Sequence, residues 1–135
     1  MKNKDLATDY IQRAGHRLAA LEVLFERQSH ADVVREGQEV VELCLKALLR
    51  VSGIEPPRSH DVSDILIENK IRLPSQIQLH AETLAKISKK MRRDRELSFY
   101  GSEDLTPSTF YSLEDSQEAI HDARWVYATC EAVIK

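Results

Sequence analysis

An all-α fold is what this sequence predicts, on three observations. Apolar residues recur at spacings of three and four, the period of an amphipathic helix. Only four Gly and four Pro occur in 135 residues, which argues against a loop-rich or disulfide-bonded scaffold. Short connections separate long periodic stretches, and such helices pack as antiparallel neighbours. The expected architecture is an antiparallel up-down bundle of four main helices plus one short helix. It is read as a single domain over residues 1–135, without repeats, low-complexity segments or a linker.

The first helix is predicted from near Asn3 to near Arg27, on the stripe Leu6, Tyr10, Ala14, Leu18, Leu21 and Phe25. Gln28-Ser29-His30 reads as a turn. The second helix carries Val33, Val34, Val40, Val41, Cys44, Leu45, Leu48 and Val51 on one face. Gly37 interrupts that face, and its helix cost implies close approach by a neighbour. Ser52-Gly53 ends the helix and Pro56-Pro57 prevents its continuation. A short third helix is expected from His60 to Asn69. Leu73-Pro74-Ser75 resets the chain, with Ser75 as N-cap of a fourth helix running from Gln76 toward Phe99. Tyr100 to Tyr111 reads as an ordered loop. Ser112 then caps the last helix, Asp115 favours its start, and it ends near Ile134.

A net charge of −3 exerts no general pull on nucleic acid or anionic membrane, so such binding needs a local patch. No apolar run approaches the roughly 20 residues that span a bilayer. The opening Met1-Lys2-Asn3-Lys4-Asp5 lacks an apolar leader, and Cys44 and Cys130 fall at apolar helix positions as small buried hydrophobes. The expected location is a reducing cytoplasm.

The run Gln38-Glu39-Val40-Val41-Glu42-Leu43-Cys44-Leu45-Lys46-Ala47-Leu48-Leu49, followed by Gly53-Ile54-Glu55-Pro56-Pro57-Arg58-Ser59-His60-Asp61, resembles the HEPN family. Arg92-Arg93-Asp94-Arg95-Glu96-Leu97-Ser98-Phe99-Tyr100-Gly101 resembles the family's later Arg…Tyr element. The resemblance implies a helical bundle, frequently dimeric, often encoded beside a minimal nucleotidyltransferase as a toxin–antitoxin pair. Many members are metal-independent RNases that carry an arginine and, after four to six residues, a histidine. There the histidine moves the proton of the 2′-hydroxyl or leaving group and the arginine neutralises phosphoryl charge. This chain departs from that pattern. Positions five to seven before His16, His30, His60, His80 and His121 hold no arginine.

Several residues could still carry chemistry. Leu84, Ile87 and Met91 define the inward face of the fourth helix, with His80, Asp94, Arg95 and Ser98 on or beside it. Arg95 and Tyr100, with Asp94, line a pocket for a nucleotide phosphate, or else Asp94 and Arg95 pin the following loop. Lys86, Lys89, Lys90 and Arg93 form an opposite stripe that either grips RNA phosphates or is simply solvated. His60 is either an acid–base group or, with Asp61, a helix cap beside Arg58. Arg17 lies in an apolar stripe and should pair with Glu39 or Glu42. Glu118-Ala119-Ile120-His121 is a metal-ligand spacing, but a di-iron bundle needs two copies, so no metal is expected. No cofactor is expected either. Trp125 and His121 share the outer strip of the last helix, as a dimer or partner interface or as a surface packed on the Tyr100–Tyr111 loop.

The functional expectation is a non-catalytic, dimeric module that binds a nucleotide, or a partner such as a minimal nucleotidyltransferase. The alternative is a divergent metal-independent RNase toxin using His60, Arg95 and Tyr100.

Overall fold

A computed structural model describes the backbone of residues 2–100 and 106–134 and the side chains of residues 3–92 and 106–134. Within the described residues the chain is all-helical. Seven α-helices follow in order: α1 (Lys2–Glu26), α2 (His30–Val51), α3 (Ser63–Glu68), α4 (Ser75–Gln78), α5 (Ala81–Tyr100), α6 (Pro107–Phe110) and α7 (Leu113–Ile134). A 3₁₀ turn occupies Lys70–Arg72. Of the four long helices, α1, α2 and α7 are those expected, and α5 covers most of the expected fourth.

Packing centres on α2, which meets α1, α5 and α7. Val33, Val40, Cys44, Leu45, Ala47, Leu48 and Leu49 on it are completely buried, with Leu21, Leu84, Ala123, Val126 and Cys130 from the surrounding helices. Each aliphatic side chain buried this way contributes about 1.5–3 kcal/mol of transfer free energy. Gly37 is buried between α1 and α7. A Cβ there would lie 3.6 Å from the Ala119 Cβ and carbonyl and from Leu21, an ordinary contact, so the approach is close without demanding glycine.

The connections explain where helices stop. Gln28 adopts a left-handed φ of 61°, and the Ser29 amide donates back to the Leu24 carbonyl, closing α1. Gly53, at φ 75°, closes α2 in the same way as the Ile54 amide donates to the Leu49 carbonyl.

Three boundaries differ from expectation. The third helix starts at Ser63, because Asp61 accepts from the Ser63 amide at 2.9 Å and holds the chain out of the helix until that point. The expected fourth helix is two helices. α4 ends in a tight turn in which the His80 amide donates to the Ile77 carbonyl, and α5 starts afresh from the His80 carbonyl. Ser75 does not cap; the Pro74 carbonyl accepts from the Ile77 and Gln78 amides instead. In the expected Tyr100–Tyr111 loop, residues 107–110 form α6. Thr106 caps it by accepting from the Thr109 amide, and Pro107 supplies a preset φ at the first helical position. Ser112 does stand before α7, its amide and hydroxyl both donating to Asp115.

Candidate functional site

One corner of the molecule gathers polar side chains from three elements. α2 contributes Gln38 and Glu42, the chain between α2 and α3 contributes His60 and Asp61, and α5 contributes Ser88 and Arg92. Gly53 and the two prolines make this possible, because they reverse the chain after α2 and bring His60 back beside a residue 18 positions earlier.

His60 Nδ1 lies 2.8 Å from Glu42 Oε1, and Lys46 holds the other Glu42 oxygen at 3.0 Å. A carboxylate on Nδ1 fixes the imidazole and leaves Nε2 as its outward nitrogen. Asp61 accepts from the Ser63 amide and from the Ser88 hydroxyl at 3.0 Å, while Ser88 itself accepts from the Val62 amide. Burial pushes the Asp61 carboxyl up, but the hydrogen bonds from Ser63 and Ser88 and the charge of Arg92 outweigh it, and its pKa falls below the ordinary value.

Two cavities meet at Arg92. The inner one, of about 10 Å³, is lined by Gln38, Val41, Glu42, His60, Ser88, Met91 and Arg92. The outer one is an open groove of about 470 Å³ lined by Asp61, Lys86, Lys89, Lys90 and Arg92. Lys90 is not the solvated residue its helix position implied. It is partly buried and reaches across to Glu118 and to Asp122, the latter at 2.6 Å. Desolvation alone would lower its pKa, but hydrogen bonds to Asp122 and Glu118 raise it above the ordinary value. Lys86, Lys89 and Arg92 have no carboxylate within ion-pair distance among the described residues. Three positive charges therefore face the groove.

The remaining candidates are placed as follows. The side chains of Arg93, Asp94, Arg95, Ser98 and Tyr100 lie outside the described residues, so the pocket expected around Arg95 and Tyr100 is neither built nor removed. His80 does not share the inward face of α5; it sits in the α4–α5 turn, with its ring edge-on to Trp125 at 5.3 Å between centroids. His121 is exposed and Trp125 half-buried against His80. Arg17 pairs with Glu36 at 2.9 Å rather than with Glu39 or Glu42. Glu36 stands one turn earlier on α2, whereas Glu39 binds Arg35 and Glu42 turns toward His60. Arg58 is exposed. Glu118 is engaged by Lys90, and among the described residues no three His, Cys, Asp or Glu side chains are grouped to hold a metal ion. No helix of the described residues is long and apolar enough to cross a membrane.

Sequence reasoning gave no site role to Ser88, and it named Gln38 and Arg92 only as the first residues of the two runs that resemble the family. Gln38 carried a usable signal, since it shares the apolar face with Val41 and Leu45 at spacings of three and four. A polar residue there must find a partner or line an opening.

Fold and corner together define a small helical domain with a polar, cation-rimmed recess at the meeting of its second and fifth helices. The HEPN domain family model matches residues 7–133, nearly the whole chain, and the chain belongs to the HEPN family. That membership suggests a nucleotide-binding or RNase-type module. No curated protein and no solved structure matches the chain.

Proposed function

We propose that this chain is a non-catalytic HEPN module that binds the phosphates of a nucleotide in the groove between α5 and the Asp61 turn. The observation that carries this reading is the set of Lys86, Lys89 and Arg92, three cations without carboxylate partners among the described residues, around about 470 Å³ of open space. A di- or triphosphate supplies the matching charge and acceptor oxygens, and Arg92 offers a forked donor. The absence of the family's Arg/His spacing from the sequence favours binding over cleavage. Calorimetry with ATP and with tripolyphosphate tests the reading. Binding should weaken on Lys86→Ala, Lys89→Ala and Arg92→Ala, each change also flattening the salt dependence by roughly one ion. No heat at millimolar ligand sinks it.

The same proposal has the module cytoplasmic and dimeric, through the face that carries His121 and Trp125, and working beside a minimal nucleotidyltransferase in a toxin–antitoxin-type pair. The long helices are taken as antiparallel up-down neighbours, consistent with the three residues that join α1 to α2. Light scattering and copurification test the association. A strictly monomeric protein that retains no partner removes it.

A second reading has one specific support. His60, held on Nδ1 by Glu42 and close to Arg92, has the form of a proton-transfer group beside a phosphate-binding cation. It would make the chain a divergent metal-independent RNase drawing on His60, Arg95 and Tyr100. Incubation with total RNA, with His60→Ala, Arg92→Ala and Arg95→Ala as controls, decides the matter. Cleavage that survives all three substitutions takes these residues out of any mechanism.

A further inference from the structure

We propose that Gln38 reads the base of the bound nucleotide, selecting bases that carry an exocyclic amino group over those that carry a carbonyl at the same ring position. This inference rests on the nucleotide reading of the groove and names the ligand class more narrowly.

Gln38 is a polar residue in a place built for apolar ones, 4 % exposed on the packed face of α2. Its amide nitrogen donates to the Met91 carbonyl of α5. A carbonyl only accepts, so the amide orientation is chemically determined, with the NH₂ on Met91 and the oxygen turned away. That oxygen is buried and has no hydrogen-bond donor. Buried acceptors without donors are rare because they give up water for nothing. Here Gln38 lines the inner cavity.

The cavity's size and surroundings say what fits. Its volume of about 10 Å³ admits one water-sized group and excludes a ring. Val41 and Met91 make its walls apolar, while His60 and Arg92 stand at its lining with planar groups able to cover a base. Arg92 also lines the groove where the phosphates sit in the proposed complex. Because Arg92 lines both, the proposed complex seats the base at the inner cavity when the phosphates lie on Lys86, Lys89 and Arg92. An exocyclic NH₂, as in adenine or cytosine, is the size of the cavity and donates to the waiting oxygen. The oxo group of hypoxanthine or uracil in its place would set two acceptors against each other in a site with little water.

The test is calorimetry on the full chain with ATP, ITP and tripolyphosphate, for the unmodified protein and for Gln38→Leu and Gln38→Met. The ATP–ITP pair differs in the 6-amino against the 6-oxo group and the accompanying N1 proton, and CTP against UTP repeats the comparison on a smaller ring. The expected result is that ATP binds at least about tenfold more tightly than ITP, the equivalent of one buried hydrogen bond. Both substitutions should abolish that ratio through loss of ATP affinity, with tripolyphosphate binding unchanged. Unchanged tripolyphosphate binding also certifies that a variant has folded, and the ATP–ITP ratio of the unmodified protein stands without any variant. Equal affinity for ATP and ITP alongside tripolyphosphate binding overturns this inference and spares the phosphate site. So does a preference that survives both substitutions, or variants that lose tripolyphosphate as steeply as ATP. Failure of all three ligands to bind overturns both.

Discussion

Two sides of α2 bear the same helix against different neighbours. Toward α1 and α7 it presents Gly37 against Leu21 and Ala119, and the buried thiol of Cys44 near that of Cys130. Polar contacts on that side join His30 to the buried Ser116 at 2.6 Å, Arg17 to Glu36 and Arg50 to Asn3. Toward α5 the helix presents Gln38 and Glu42, and what faces them is Ser88, Arg92 and the His60–Asp61 turn. The first side is the sealed one, and its apolar atoms gain from staying out of water, although Arg50 Nε is buried at its end without a hydrogen-bond partner among the described residues. The second leaves an acceptor without a donor, a cavity and three cations with no ion-pair partner among the described residues. Features that cost stability and recur at one place are the expected signature of a site rather than of a scaffold.

The contrast breaks or sharpens under substitution, and the largest effect belongs to the sealed side. Leu48→Ala should cost about 2–5 kcal/mol by denaturant titration, as a fully buried leucine leaves a cavity between packed helices. His60→Ala should cost less than about 0.5 kcal/mol, because the pair it makes with Glu42 is half-exposed. A His60→Ala loss as large as that of Leu48→Ala would make the corner structural and end the comparison.

Alkali should act on the sealed side next. Burial pushes the Cys130 thiol from 9.0 to about 12, and burial first, then Cys130 and Glu131, pushes Cys44 up as well. The folded protein keeps these protons after the unfolded chain has released them. Stability is therefore intact below about pH 9 and falls above it, by about 1.4 kcal/mol per pH unit for each thiol, until the folded value is reached. Cys130→Ala should flatten that fall in thermal melts between pH 9 and 10.5; an unchanged slope contradicts the burial.

The acid limb reports the corner. The Asp61 carboxylate is held below its ordinary value, so its contribution is present above 3.8, the unfolded value, and is lost as pH drops through the folded one. Asp61→Ala, which removes the acceptor of the Ser63 amide, should cost about 1 kcal/mol at neutral pH and show a shallower acid transition. The smallest effect has the opposite sign. Gly37→Ala should stabilise by up to about 1 kcal/mol, since the added methyl meets only ordinary contacts and the helix gains propensity. A marked destabilisation would mean that α7 lies closer to α2 than 3.6 Å allows.

Much of this molecule was legible in its residues. The stripes of α1, α2 and α7 and the closing turns at Gln28 and Gly53 follow from local rules, because apolar periodicity and left-handed turn positions act within a few residues. The splitting of the fourth helix did not follow. Nothing local distinguishes Leu79-His80 from a helix interior; the turn coincides with an edge contact between His80 and Trp125, 45 residues away. Arg17 likewise had three acidic residues to choose from along α2, and only the rotation of α1 against it selects Glu36.

The sequence by itself determined the fold class, the buried face of α2 and the family, through periodicity and one run of motif residues from Gln38 to Asp61. It also placed a glutamine on that buried face without saying what the amide would meet. Only the tertiary structure decided that Gln38 reaches Met91 and keeps a bare oxygen, that His60 turns to Glu42, and that Lys90 pairs with α7 while Lys86, Lys89 and Arg92 have no ion pair among the described residues. The reason is physical. Periodicity encodes which face of a helix leaves water, whereas a site is made by side chains from separate helices, and their meeting depends on how those helices rotate and cross.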